Sequence, residues 1–473
     1  MKYLYGLSIQ GIQSYIFATN KLKEIIGASQ LVKDLPKQII EEILGKELDG
    51  NNILIDAAGN FKYVFDELED CNLVFKCALM KFQQLAGDIT VSQAVVEASS
   101  IGKREIDNLE DKLKVQRNKP TISIHLGTQA IRKNPKTGKP IIDKDKDDYL
   151  DFNQKKKRKA FKKGKGIAPF SNRLNLMGDI EKIGEGKESW IGVIHADGNS
   201  LGKKVVQLAS RIETENLDTT SIFREFSCKL QLATENAVKR AFEEVFFPEY
   251  KEKEIPFRPI IIGGDDVTVI TKGALALDFT ESFLYYFEKE TKVHLSYLTE
   301  FKDGLTACAG IAYTKSHYPF HYGVDLAEDL CNQAKKDTKC ISVDLPPSCL
   351  MFHKVHSSYV RNWKDILTTE LNSGGINLAY GPYYIDEKIG KPTIGSLKNY
   401  ARLLHEEESP KSSIRRWLSE LGKDKIRAND LMKRTKDMTH KKYWDELNLA
   451  TTLSNQLSNT HLYDALAIED LNY

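Results

Sequence analysis

The chain has no C-x-x-C pair among its seven cysteines, Cys71, Cys77, Cys228, Cys308, Cys331, Cys340 and Cys349, so nothing in it reads as a zinc ribbon or a disulfide scaffold. Most of them sit in apolar or helical surroundings, the setting of buried free thiols, and a reducing, cytoplasmic compartment is expected. No apolar run approaches the ~18 residues that a membrane span needs. The opening Met1-Lys2-Tyr3-Leu4-Tyr5-Gly6 reads as the start of a core strand, with no signal peptide behind it. No Ser-His-Asp or Cys-His set has support, which sets aside catalysis by an activated nucleophile. Charge of one sign is missing too: net charge is +2, and any hold on nucleic acid must come from local patches. What remains is a soluble, globular composition, 41% hydrophobic and 28% charged over 473 residues, enough for about three domains.

One stretch stands apart. Ile260-Ile261-Ile262-Gly263-Gly264-Asp265-Asp266-Val267-Thr268-Val269-Ile270 sets two β-branched runs around a Gly-Gly-Asp-Asp turn, the pattern of a β-hairpin with adjacent carboxylates at its tip. The strands pin the backbone, and Gly263 and Gly264 leave room for a phosphate or a metal to come close. Upstream, a strand over 190–196 leads into Asp197-Gly198-Asn199. A strand-end aspartate with a hairpin pair is the ligand set that holds two divalent ions, roughly 3.5–4 Å apart, for in-line phosphoryl transfer.

The same order of elements occurs twice. The first copy has a strand over 2–9 and a helical stretch over 10–44, with interruptions expected near Gly27 and Pro36. A hairpin follows, 53–55 and 61–65 around Asp56-Ala57-Ala58-Gly59-Asn60, then a helix over 69–84, a strand over 88–98 and a helix over 101–114. The second copy runs strand 190–196, helix 221–247, hairpin 259–271, helix 277–292, strand 305–313 and helix 324–336. Strand-helix-strand-strand-helix-strand is a ferredoxin-like arrangement, an antiparallel sheet with helices on one face. The expected fold is α+β: a palm-like domain over 1–115, a second one carrying the Gly-Gly-Asp-Asp turn over 190–358, and a helical C-terminal domain over 359–473. The connector, 116–189, contains a basic run from Lys155 to Lys165. Its plain reading is a solvated, mobile link; its sharper one is a patch for RNA, DNA or nucleotide phosphates.

Several segments together carry a resemblance. They are Gly11-Ile12-Gln13-Ser14-Tyr15-Ile16-Phe17 followed by Gly27-Ala28-Ser29, Asp197-Gly198-Asn199 with Gly202, and Gly263-Gly264-Asp265-Asp266. Ala309-Gly310-Ile311-Ala312, and Ala327-Glu328 leading to Ala334-Lys335-Lys336, complete the set. In this order they resemble the large polymerase/cyclase subunit of type III CRISPR interference complexes, whose GGDD signature is related to the GGDEF motif of diguanylate cyclases. The resemblance covers nearly the whole chain. It implies 3′–5′ joining of ATP into cyclic oligoadenylate with release of pyrophosphate, Mg2+ or Mn2+ as cofactor, and a role in antiviral defence. Implied partners are RNA, other CRISPR subunits or a second copy of the chain, with no membrane. Three departures matter. No His-Asp dipeptide occurs, so the HD nuclease of larger relatives is not expected. Residues 78–227 contain no cysteine, so their zinc module is not expected either. Ala57-Ala58-Gly59-Asn60 stands where an acidic pair would be needed, which leaves the first palm a non-catalytic partner.

Asp197, Asp265 and Asp266 are the expected catalytic residues and metal ligands. Turn chemistry is the plain alternative for each, but two such turns at the ends of apolar strands, in this order, favour the ligands. Gly198, Asn199, Ser200 and Gly202 precede a helix, so their backbone N–H groups are placed to cradle a triphosphate. Ser200 reads equally well as an N-cap, and Gly263 and Gly264 as ordinary hairpin glycines. Lys335 leads Lys336 as the triphosphate contact that the family pattern implies, although either lysine also suits the helix C-terminus. His195 shares the face of Asp197 and reads as a site-wall histidine. Ser29, Asp56 and Asn60 read as structural, or at most as contacts to a second nucleotide. Two other functions stay open: a catalytically silent scaffold holding guide RNA and other subunits, and a stand-alone cyclic dinucleotide synthase.

Overall fold

Lys2–Gln10 is strand β1, and Tyr3, Leu4, Tyr5, Leu7 and Ile9 are all buried along it. A strand apolar on both faces belongs inside a sheet covered on both sides. It pairs within an antiparallel sheet made with β2 (Ile53–Ala57), β3 (Asn60–Phe65) and β4 (Thr90–Ala98), in the order β2-β3-β1-β4. Helices α1 (Ile12–Ile16), α2 (Leu22–Leu44) and α3 (Leu68–Leu85) share one core with Tyr3, Tyr5 and Leu7. Helix α4 (Lys103–Arg117) covers the other face, packing Leu109 and Leu113 on Leu4, Val64 and Val96. The two helices inside the ferredoxin-like unit, α2 and α3, thus share one face as expected, and the helix that follows it covers the other. The computed structural model describes residues 1–57, 59–119, 130–146, 148–163, 170, 176–184, 189–250, 253–357, 362–454 and 457–471; Ala58, much of the connector, and Gly164 and Lys165 of the basic run lie outside these.

The interruptions expected at Gly27 and Pro36 are absent, and α2 runs unbroken through both. The break in the helical stretch falls earlier, between Phe17 and Lys21. A β-carbon at Gly27 would fall 1.8 Å from the Lys157 carbonyl, so this glycine marks a helix crossing and not a helix end. Pro36 is buried in the core, and that packing outweighs its missing N–H.

The helix crossing there belongs to the connector, which contains β5 (Asp143–Asp145), β6 (Asp148–Leu150), α5 (Phe152–Lys163) and the one-turn α6 (Ile180–Ile183). Helix α5 corrects the solvated reading of the basic run at two positions, while Lys155, Lys159 and Lys162 are exposed. Lys157 and Arg158 are 4% and 5% exposed. Arg158 meets the fully buried Glu24 of α2 at 2.7 Å, Asp145 at 2.7 Å and Asp148 at 3.0 Å. Lys157 Nζ donates to the Tyr15 carbonyl at 2.5 Å. The buried Glu24 of a distant helix accounts for the burial of Arg158, and the Tyr15 carbonyl for that of Lys157.

The second unit repeats the strand order. Strands β7 (Trp190–Gly198), β8 (Phe257–Gly263), β9 (Asp266–Lys272) and β10 (Ala307–Lys315) stand in the order β10-β7-β9-β8, extended by β11 (Cys349–Lys354) parallel to β10. Its helices are α7 (Leu201–Thr214), α8 (Thr219–Tyr250), α9 (Gly273–Leu295) and α10 (Phe320–Ile341). The region after 359 is not wholly helical: Tyr383–Tyr384 pairs with β11 as a further strand. The helices Ile394–His405, Lys411–Leu421, Lys425–Met438 and Leu462–Glu469 bury their apolar sides in the same core as the two units. Paired tyrosines that bury both rings make a better strand than an exposed helix turn.

The two units face each other. Ser29 Oγ on α2 donates to the Ile260 carbonyl of β8 at 2.5 Å, and Arg224 on α8 donates to Asn51 at 2.5 Å. Phe17 and Phe320 meet edge-on at 5.4 Å. Among the described residues no helix is long and apolar enough to cross a membrane.

Candidate active site

Gly263 pairs with Asp266 across β8 and β9, which leaves Gly264 and Asp265 as a two-residue turn. Gly264 has φ +62°, and a glycine with positive φ at the first central position is what such a hairpin requires. Strand β9 lies beside β7 with Val267 opposite Ala196, so the pairing brings the turn to the end of β7, where Asp197 stands. A β-carbon at Gly198 would fall 2.8 Å from both Cβ and Oδ2 of Asp265. The missing side chain there lets Asp265 lie against Asp197.

Three carboxylates in one place oppose each other's ionisation. Burial and the Asp197 carboxylate push Asp265 up to about 8. Burial, Asp197 and Glu328 push Asp266 up to about 7, against the pull of Lys335. Asp266 Oδ1 is buried with no hydrogen-bond partner among the described residues, and His195 Nδ1 lies 3.5 Å from it. His195 is itself buried, which holds its pKa down, and its Nδ1 is 3.2 Å from Thr268 Oγ1. Lys335 Nζ reaches Asp197 Oδ2 at 2.5 Å and the Gly198 carbonyl at 2.8 Å. Burial disfavours its charge, but Asp197 more than offsets this and keeps its pKa above the ordinary lysine value.

Crowded carboxylates with one orphaned oxygen are a donor set that fits a hard divalent cation. Among the described residues no three His, Cys, Asp or Glu side chains already stand at metal-holding distances. Lys335 is the cation now on Asp197.

The other expected residues divide. Gly263 and Gly264 belong to the hairpin, and Gly202 is exposed in the first turn of α7 with open space around it. Asn199 turns inward: it is buried, and its amide donates to Thr306 Oγ1 at 3.1 Å. Ser200 holds the N-cap position of α7, but its side chain caps nothing and instead donates to the Val343 carbonyl at 3.2 Å, because its backbone is left-handed at φ +58°. Lys336 is exposed, one position round the helix from the site. Ser29 and Asn60 make structural bonds, Asn60 accepting from Ser8 at 2.9 Å. Asp56 lines a cavity of about 330 Å3 between the two units, together with Ser29, Lys33, Gln231, Gly263 and Asp266. A larger cavity, about 600 Å3, lies against β4 between Phe75 and Val115, remote from these carboxylates and with Asp111 its one acid.

Two residues at the hairpin carry no linear signal at all. Gln231 and Thr234 of α8 both bond the turn at Gly264, some thirty residues upstream of it. Their only mark in the sequence is a spacing of three on a helix.

The sequence model of the Cas10/Cmr2 second palm domain matches residues 190–340. No curated protein sequence matches the chain. Among solved structures, a Csm1–Csm4 cassette in complex with cA3 is similar at 13% identity, over 99% of this chain and 69% of the other, with a TM-score of 0.58. The cassette in complex with AMPPNP is similar at 12% identity, over 96% and 69%, with a TM-score of 0.53. The Csm1–Csm4 subcomplex of the type III-A CRISPR-Csm interference complex is similar at 12% identity, over 99% and 70%, with a TM-score of 0.51. Residues 190–340 thus match the second palm domain of Cas10/Cmr2, and over nearly its whole length the chain has a fold similar to that of Csm1.

Proposed function

We propose that this protein joins ATP through 3′–5′ linkages into a cyclic oligoadenylate, at the point where Asp197, Asp265 and Asp266 meet. The observation that carries the reading is the crowding of these carboxylates around the orphaned Asp266 Oδ1. Mg2+ or Mn2+ held by the three aspartates would polarise the reacting phosphoryl group and neutralise the departing pyrophosphate. Lys335, on leaving Asp197, meets the triphosphate, and the N–H groups at the start of α7 cradle its oxygens. The cavity beside Asp266, walled by Ser29 and Asp56 of the first unit, takes the acceptor nucleotide. His195, neutral and bonded to Thr268, stays as a wall that orients Asp266. Csm1 relatives crystallise with Csm4 and with adenine nucleotide ligands, which supports ATP as the substrate and a Csm4-like subunit as a partner in antiviral defence.

The test is incubation of the protein with each nucleoside triphosphate and Mn2+ or Mg2+, with products resolved by mass spectrometry. A cyclic oligoadenylate that disappears in the Asp265→Ala/Asp266→Ala double variant is the expected result. The same product from the double variant would overturn the site. No product even with co-purified RNA and partner subunits would favour a silent scaffold, and a two-nucleotide guanine product a dinucleotide synthase.

A further inference from the structure

Gly264 has two backbone groups to satisfy in a turn that must hold two carboxylates still, and both are bonded by side chains of one helix. Gln231 Oε1 accepts from the Gly264 N–H at 2.8 Å. Thr234 Oγ1 donates to the Gly264 carbonyl at 2.5 Å, and the same hydroxyl lies 3.1 Å from the Leu230 carbonyl. The Gln231 amide is oriented in turn: its Nε2 donates to Glu235 at 2.7 Å and reaches the Ile262 carbonyl at 3.4 Å. Thr234 is fully buried. Residues three apart share one helix face, so α8 presents both bonds to the turn as a rigid pair.

From this geometry we infer that Gln231 and Thr234 are positioning residues, which fix the Gly264 peptide so that Asp265 and Asp266 face Asp197. No neighbour stands against the open side of the turn among the described residues: a β-carbon at Gly264 would meet nothing within 4 Å. Without the clamp, the left-handed turn has only its strand ends to define it, and the carboxylates at its tip lose their register with β7. Helix α8 also reaches the first unit through Arg224 and Asn51, and Gln231 lines the cavity between the units. Gln231 thus touches both the turn and the cavity that the two units share. The inference rests on the proposed metal-dependent chemistry for its Mn2+-binding and activity arms, and not for its amide-exchange arm.

Three variants test it. Thr234→Val removes the hydroxyl and keeps the shape, Thr234→Ser restores the hydroxyl, and Gln231→Met removes the acceptor at equal length. Amide exchange of the hairpin peptides, Mn2+ titration followed by electron paramagnetic resonance, and thermal melting are measured on each. Thr234→Val and Gln231→Met are expected to speed exchange over 264–267 and to weaken Mn2+ binding by about 10–100-fold, with the melting temperature little changed. Thr234→Ser should recover both readouts. In single-turnover assays the loss should fall on kcat more than on KM for ATP. Unchanged exchange in both variants overturns the clamp, and so does faster exchange with undiminished Mn2+ affinity, which would make the pair merely structural. If the wild-type protein binds no Mn2+ and makes no product, the cyclase reading fails, and the exchange data alone still decide whether these side chains hold the turn.

Discussion

A β-carbon at position 198 would fall 2.8 Å from Cβ and Oδ2 of Asp265, so Gly198→Ala is expected to push Asp265 off the end of β7. Product formation should drop by about 100-fold, since misplacing a reacting group by about 1 Å costs that much. The circular dichroism spectrum should stay that of the wild type, and an unchanged rate would remove Asp265 from the site. Lys335 makes a second case. It bonds both Asp197 and the Gly198 carbonyl, and Lys335→Met should lower the turnover rate by about 100-fold or more, as the loss of one stabilising charge does. Steady-state kinetics with ATP would show it, and a wild-type rate would return the triphosphate contact to another residue. At this scale the aspartates were readable from their place after apolar strands. Lys335 was singled out through the family pattern as a triphosphate contact, but its meeting with Asp197 was not readable, because no local rule relates residues 138 positions apart.

Helix α5 shows what an element's own sequence conceals. Its lysines and arginine read as a solvated face, yet Arg158 is buried on Glu24. Arg158→Met leaves that carboxylate in the core with, among the described residues, the Thr19 hydroxyl 2.8 Å away to satisfy it. The expected cost is about 3–5 kcal/mol, read as a lower midpoint in urea unfolding; an unchanged midpoint would mean that α5 is not docked. The strands were more legible. Ile260 to Ile262 and Val267 to Ile270 are β-branched runs around a glycine turn, and a pattern confined to a dozen residues is complete in the sequence. Gly27 and Pro36 misled for the converse reason. Their local meaning is a helix break, and packing against α5 and the core overrode it.

The molecule as a whole is held at its C-terminal end by a buried acid. Asp464, in the helix Leu462–Glu469, accepts from Tyr383 Oη at 2.7 Å and from the Tyr380 N–H at 3.2 Å. These contacts tie that helix to the strand beside β11. Burial outweighs the hydrogen bonds and pushes the Asp464 carboxyl up to about 7. The folded protein therefore keeps this proton where the unfolded chain, with a carboxyl pKa of about 4, has lost it. Its contribution to stability is full below about pH 4 and is lost as pH rises toward about 7. Melting temperatures across that range should show the decline in the wild type and a flatter profile in Asp464→Asn. Parallel profiles would mean that the group titrates normally.

Whatever depends on neighbours within a turn or a strand was present in the sequence alone: the α+β alternation, the order of elements along the chain repeated in two copies, and the carboxylates placed at strand ends. These follow from backbone periods of two and 3.6 residues and from turn chemistry, which act over a few residues. Tertiary structure decided which cation meets Asp197, that Arg158 goes inside, that helices cover both faces of the first sheet, and that Gln231 and Thr234 hold the turn. Each of these joins groups far apart in the chain, through a contact whose energy depends on burial and on a partner's geometry. Neither quantity exists until those elements have packed together.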